Sequence, residues 1–141
     1  MKKLLLILSF LASQLFAEQC TQQFSYFTDK QENRYINSSI QASDLSATVI
    51  DKESIIYDKK NQTIICWVIY QTISMPKVGV FKLRKEFNLN NKKIRILSRD
   101  ALSCNGEAIW SSNEIKEWED ISPQSADELA LKSLKKYLNI K

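Results

Sequence analysis

The sequence predicts an α+β domain: an antiparallel meander of about five or six strands, with one C-terminal α-helix packed on a sheet face. Three observations carry this prediction. From Thr48 onward, segments rich in β-branched and aromatic residues alternate with short polar turns. Connections this short favour antiparallel neighbours. From Ser122 onward, the apolar residues change to helical spacing.

Five segments have the composition or the alternation of strands. They are TVIDKESIIYD (48–58), TIICWVIYQTI (63–73), VGVFKLRKEFNL (78–89), KIRILSRDALSC (93–104) and EAIWSS (107–112). KKNQ and NLNNKK have the composition of turns, and Asn105-Gly106 is the strongest hairpin signal in the chain. Pro76 has no N–H group for a ladder bond, so SMPK separates the second segment from the third.

The segment SPQSADELALKSLKKYL (122–138) predicts a helix that covers the sheet. Ser122 and Ser125 both fit the N-cap position, and Ser125 with Glu128 has capping-box spacing. Apolar residues recur at intervals of three and four: Ala126, Leu129, Ala130, Leu134, Tyr137 and Leu138. A helix that binds a partner has the same pattern, but burial on the sheet is the commoner reason for an apolar face of this size.

The first 17 residues have the features of a secretory signal peptide. Lys2 and Lys3 precede an apolar run, and the segment closes on small and polar residues up to Ala17. We therefore expect cleavage after Ala17 and export of the remaining chain. A membrane anchor is the alternative, but the run is shorter than the roughly 20 residues that a membrane span needs.

Residues 18–141 have the length of one domain. The aromatic residues Phe24, Tyr26 and Phe27 suggest a first strand within residues 18–47, and we expect the rest of that segment to be irregular. Residues 48–141 are expected to form the sheet and the helix, in a single domain with the N-terminal segment.

Three cysteines, Cys20, Cys66 and Cys104, remain after the expected cleavage. Lipid modification of Cys20 is not expected, because Gln19 occupies the position that needs a small residue. In an oxidising compartment three cysteines permit one internal bridge. We predict a Cys20–Cys104 disulfide with Cys66 as a buried free thiol, while a bridge through Cys66 remains the alternative.

The composition excludes several kinds of chemistry. The chain has no His, so no mechanism can use His as a base or as a metal ligand. It also lacks a nucleophile elbow, a phosphate loop and a dinucleotide fingerprint. The carboxylates lie near predicted turns, where a solvated surface accounts for them. We therefore expect no enzymatic activity, no cofactor and no metal.

The charge is nearly balanced after export. Without Lys2 and Lys3, the remaining 18 Lys and Arg exceed the 16 acidic residues by two. Strand alternation nevertheless predicts one basic patch, formed by Lys82, Arg84, Lys93, Arg95 and Arg99. Such a patch suits an anionic glycan or another anionic polymer, although an ordinary charged face is the simpler interpretation. Nucleic acid is not expected, because the chain is exported.

Four motifs together resemble the surface-adhesin protein E family of small exported bacterial proteins. They are VIDKESI (49–55), CWVIY (66–70), NGEAIWSS (105–112) and WEDISPQSADEL (118–129). The similarity covers roughly residues 49–138, and the last motif is the most specific. The family often has a cysteine near the end of its C-terminal helix, and here that helix has none. Its founding member is lipid-anchored, whereas this chain lacks a convincing lipidation site.

The resemblance implies an antiparallel sheet with a C-terminal helix, sometimes dimeric, in a Gram-negative bacterium. It also implies a non-enzymatic surface adhesin that binds host extracellular-matrix or serum proteins. The alternative is a soluble periplasmic protein that assists the envelope, as an assembly subunit or inhibitor with a bacterial protein partner. The protein is accordingly expected in the periplasm or at the cell surface.

Overall fold

The computed structural model describes residues 34–41, 46–71, 79–103 and 107–141. The expected signal peptide, the aromatic residues at 24–27, Pro76 and the Asn105-Gly106 turn lie outside these residues. Cys20 and Cys104 also lie outside them, so the predicted disulfide between them stays a prediction.

The described residues contain eight strands, one 3-10 helix and one α-helix. The strands are β1 (Tyr35–Gln41), β2 (Ser46–Asp51), β3 (Ile56–Asp58), β4 (Thr63–Gln71), β5 (Val80–Asn88), β6 (Lys93–Leu102), β7 (Ala108–Ser112) and β8 (Glu119–Asp120). The 3-10 helix spans Lys52–Ser54 and the α-helix, α1, spans Ala126–Tyr137. In the described part of the chain, no helix has both the length and the apolar composition needed to cross a membrane.

All eight strands belong to one antiparallel sheet. Its main order is β1-β2-β4-β5-β6-β7, while β3 pairs with the start of β4 and β8 pairs with the start of β6. The central pairs, β4–β5 and β5–β6, each run for nine residue pairs. The predicted α+β meander with one C-terminal helix is therefore confirmed.

The expectation of irregular structure before Thr48 is wrong for Tyr35–Gln41, which form β1. Alternation along this strand is interrupted because its register with β2 shifts between Asn37 and Ser39. Ile36 packs against the main core, and the three residues that follow it, Asn37 to Ser39, are polar. A bulged, largely polar edge strand leaves no regular apolar period in the sequence.

The predicted strand at 48–58 is interrupted by the 3-10 helix Lys52–Ser54. The Asp51 carboxylate caps this helix by accepting from the Glu53 N–H (3.1 Å). The same carboxylate also accepts two hydrogen bonds from the Arg34 guanidinium (2.8 and 3.2 Å). The Ser54 hydroxyl donates to the Asp51 carbonyl (2.7 Å) and accepts from the Trp67 N–H (2.8 Å). Trp67 lies in β4 between the residues that pair with β2 and those that pair with β3. The 3-10 helix thus supplies a hydrogen-bond acceptor for the Trp67 N–H, which neither strand pairs with.

The main core lies between α1 and one face of the sheet. Its buried residues are Ile50, Ile64, Cys66, Val68, Phe87, Ile94, Ala130 and Leu134. The last two belong to α1, and they lie four residues apart on one side of the helix. The prediction that this helix packs on the sheet is therefore confirmed, but two residues of its predicted apolar side, Leu129 and Tyr137, are 39% and 47% exposed.

Of the two candidate N-caps, Ser125 occupies the capping position. Its hydroxyl accepts from the Glu128 N–H (3.2 Å) and donates to the Ser122 backbone carbonyl (2.6 Å). Within the described residues, the Ser122 hydroxyl itself makes no such capping bond. The Glu128 carboxylate accepts from the Gln124 N–H (2.7 Å), one residue before the cap, so the capping-box spacing gives a shifted form of the reciprocal bond.

We predict that Ser125→Ala lowers the free energy of unfolding by about 1 kcal/mol, because the Glu128 N–H loses its acceptor. Ser122→Ala is the matched control and should change the free energy by less than about 0.5 kcal/mol. Urea denaturation of the three proteins measures both effects. Equal losses for the two variants would show that the Ser125 hydroxyl does not cap α1.

Candidate functional site

The sheet has two unlike faces, because side chains alternate along each strand. Cys66 and Val68 of β4 point toward α1, so Trp67 points to the opposite face. Trp67 is the cross-strand partner of Arg84 on β5, and Ile69 is the partner of Lys82. We call the surface formed by Trp67, Lys82, Arg84, Glu86, Arg95 and Trp118 the Trp67 face.

Trp67 and the two cations of β5 form the centre of this face. Lys82 Nζ lies 5.0 Å from the centroid of the Trp67 ring, within the range of a cation–π contact. Arg84 is exposed, and it makes no ion pair with the residues that the structure describes. The centre therefore combines a half-buried indole with an exposed positive charge.

The adjoining part of the Trp67 face is electrically neutralised. Arg95 Nε donates to Glu86 Oε2 (2.6 Å), and the Arg95 guanidinium stacks 4.5 Å from the Trp118 ring centroid. Lys93 Nζ lies 3.7 Å from an Asp120 oxygen. These two cations are therefore held by carboxylates of the same chain.

Arg99 does not belong to the Trp67 face. The prediction that Arg99 forms one patch with Lys82, Arg84, Lys93 and Arg95 is therefore wrong. The β5–β6 register shifts between Arg84 and Lys85, so Leu97 is an extra residue on β6. Beyond this bulge Arg99 pairs with Leu83 and faces the helix side of the sheet. There it bonds to Glu114 (3.3 Å) and lies 5.2 Å from the Trp110 ring centroid.

Lys82, Arg84, Lys93 and Arg95 therefore share one face, but only the first two lack a carboxylate partner among the described residues. The predicted anionic-ligand patch is smaller and less basic than the sequence pattern indicates. Sequence alternation correctly groups the four residues; it cannot show the β6 bulge, which moves Arg99 to the other face.

A buried polar cluster lies on the helix side of the sheet. Lys85 is 4% exposed, although it lies in β5 between the inward-facing residues Leu83 and Phe87. Its ammonium group donates to the Asp127 carboxylate in the first turn of α1 and to the Tyr70 hydroxyl (2.6 Å). The Tyr70 hydroxyl is also 3.4 Å from Asp127 Oδ1. The cluster joins β4, β5 and α1.

Burial by itself would lower the pKa of Lys85, but Tyr70 and Asp127 outweigh it and raise the pKa above its ordinary 10.5. Burial raises the pKa of Tyr70 above its ordinary 10.0. At neutral pH the cluster therefore contains an ammonium group and a neutral phenol. The basic patch predicted from the sequence leaves Lys85 out, but this contact was not predicted, although alternation with Phe87 already places Lys85 inward.

Cys66 is buried next to this cluster, as the cross-strand partner of Lys85, and is a free cysteine. Burial raises the pKa of the Cys66 thiol to about 12. The thiol is therefore protonated at neutral pH, which suits a packing role better than a nucleophilic one.

No group of three or more His, Cys, Asp or Glu side chains suited to a metal ion occurs in the described ranges. The Asp58 carboxylate, at a predicted turn, has local partners. Asp58 accepts from the Lys60 N–H (2.9 Å) and from the Asn61 N–H and side-chain amide (3.1 and 2.7 Å). These bonds hold the turn between β3 and β4.

Comparisons of the chain with family models, with curated proteins and with solved structures found no match. The resemblance to the surface-adhesin protein E family thus rests on the four motifs. Several of their residues have structural roles here: Asp51 caps the 3-10 helix, and the Ser54 hydroxyl accepts from the Trp67 N–H of β4. Trp118 stacks on Arg95, and Ser125 caps α1.

The Lys85 cluster predicts a loss of stability at alkaline pH. A raised pKa in the folded state contributes stability below the unfolded value, and this contribution is lost as pH rises through the folded value. The free energy of unfolding should therefore fall above about pH 10.5, the ordinary value for Lys85. Lys85→Met should make this fall less steep, by up to about 1.4 kcal/mol of unfolding free energy per pH unit.

Urea denaturation between pH 9 and 12 measures these slopes. Tyr70, whose pKa is also raised, should leave a residual slope of the same sign in Lys85→Met. Lys136→Met, which changes an exposed lysine of α1, is the control and should keep the wild-type slope. Identical slopes for wild type and Lys85→Met would contradict the assignment.

Proposed function

We propose that this chain is a non-enzymatic exported bacterial protein that binds a protein partner through the Trp67 face. The observation that carries the proposal is the pairing of half-buried Trp67 with exposed Arg84, which has no carboxylate partner in the described part of the chain. Trp and Arg are the residue types that most often dominate the binding energy of protein interfaces.

The surroundings of Trp67 support this proposal. Lys82 lies over its ring, so part of the side-chain ordering that an interface requires is already present. Ile65 lies two residues before Trp67 in β4, on the same face of the sheet. It is half-buried, and its cross-strand partner in β3, Ile56, is 56% exposed. An aromatic and aliphatic surface beside the exposed Arg84 guanidinium suits a protein with apolar and acidic groups.

The charge balance favours a protein partner over an anionic glycan. A polyanion is held mainly by several uncompensated cations, and Arg95 and Lys93 are already paired with Glu86 and Asp120. Among the described residues of this face, Lys82 and Arg84 remain without a carboxylate partner. Two charges are few for a polymer but sufficient to pair with one or two carboxylates of a protein.

The predicted signal peptide and the resemblance to the protein E adhesins support a partner outside the cytoplasm. The resemblance favours host extracellular-matrix or serum proteins, with the chain at the cell surface. A bacterial envelope protein in the periplasm is the second candidate. Both candidates use the same face, and they differ in where the partner is found.

Site-specific photo-cross-linking tests the proposal. Ile56, which is 56% exposed beside the Trp67 face, is replaced by p-benzoylphenylalanine, so that Trp67 and Arg84 stay intact. The same replacement at Lys136, an exposed position on α1, is the control. Cells producing each protein are irradiated with and without added serum and matrix proteins. We expect one discrete adduct from position 56 and none from position 136, because only the former borders the Trp67 face.

Trp67→Ala should reduce the yield of the position 56 adduct at least about tenfold, the size expected for an interface hot spot. A circular dichroism melt of this variant shows whether it remains folded. Arg84→Glu, a change at an exposed side chain, should reduce binding of the identified partner without that concern. An adduct that needs the added host proteins supports adhesion, whereas one formed without them supports the periplasmic candidate. Equal adducts at both positions, or no effect of either variant, would refute the proposal.

A further inference from the structure

A cleft of about 210 Å³ lies beside α1, and no residue of the Trp67 face lines it. It opens between the β5–β6 turn, the loop that precedes α1 and one flank of the helix. Leu89, Ile121 and Leu131 line it, and all three are partly buried side chains that pack against the main core. The floor of the cleft is therefore apolar surface where the core reaches solvent.

The rim of the cleft is basic. Lys92 of the β5–β6 turn and Lys132 and Lys135 of α1 line it together with one carboxylate, Glu128. Glu128, Leu131, Lys132 and Lys135 lie on one flank of the helix, because their spacing follows its period. Glu128 is already engaged, since it accepts from the Gln124 N–H (2.7 Å) and lies 3.5 Å from Lys132 Nζ.

We propose that this cleft binds a small amphipathic anion, namely a short alkyl or acyl chain that ends in a phosphate or carboxylate. The chain would contact the floor of Leu89, Ile121 and Leu131, and the anionic group would meet the lysines. A lysine ammonium pairs with phosphate as a point charge and can follow it on a flexible stem. The volume is below the roughly 300–1,000 Å³ of pockets for drug-sized ligands, so only a short chain fits.

Octyl phosphate is a probe of this chemistry. We expect it to shift the methyl NMR signals of Ile121 and Leu131 with a Kd of about 1 mM, as suits a small ligand in an open cleft. Octyl glucoside has the same chain without the charge, and inorganic phosphate has the charge without the chain. Both should bind at least about tenfold more weakly, because each contacts only one part of the site.

Lys135→Glu should weaken octyl phosphate binding at least about threefold, because it places a negative charge on the rim. Lys136→Glu is the matched control: it makes the same charge change in the last turn of α1, but Lys136 does not line the cleft. It should weaken binding less than about twofold. Absent methyl shifts, equal binding of octyl glucoside or inorganic phosphate, or equal effects of the two variants would overturn the proposal.

Discussion

The contact between Lys85 in β5 and Asp127 in the first turn of α1 determines how the helix covers the sheet. Lys85 occupies an inward position among apolar side chains, and a buried ammonium group without a partner is costly. Asp127 supplies the partner, and its position near the N-terminus of α1 also suits the helix dipole. A helix displaced by one turn would leave Lys85 buried without this carboxylate, so the pair favours a single docking of α1.

Because α1 covers one face of the sheet, alternation leaves Trp67, Lys82 and Arg84 on the other. The β6 bulge then decides which further cations join them: Arg95, before it, lies on the Trp67 face, and Arg99, beyond it, lies on the helix side. Ser54 holds the Trp67 backbone from the 3-10 helix. The proposed binding surface is thus a consequence of the helix docking and of local irregularities in two strands.

Regular features could be predicted from the sequence. Clean alternation in β5 correctly grouped Lys82 with Arg84, and helical spacing with a Ser125 cap correctly located α1. Irregular features could not be predicted, because a bulge changes the face of every later residue without altering composition. This applies to β1 and to Arg99. The contact of Lys85 could not be predicted for a different reason: its carboxylate partner, Asp127, lies 42 positions later in the chain.

A double-mutant cycle with Lys85→Met and Asp127→Asn tests the role of this pair most directly. Asp127→Asn alone leaves Lys85 buried without its carboxylate and should lower the free energy of unfolding. In the Lys85→Met background the same substitution should change the free energy of unfolding little, because no buried charge is left unpaired. Urea denaturation at pH 7 of the four proteins should give a coupling energy of about 1–3 kcal/mol. Equal costs of Asp127→Asn in both backgrounds would contradict the account, because α1 would then dock without depending on the pair.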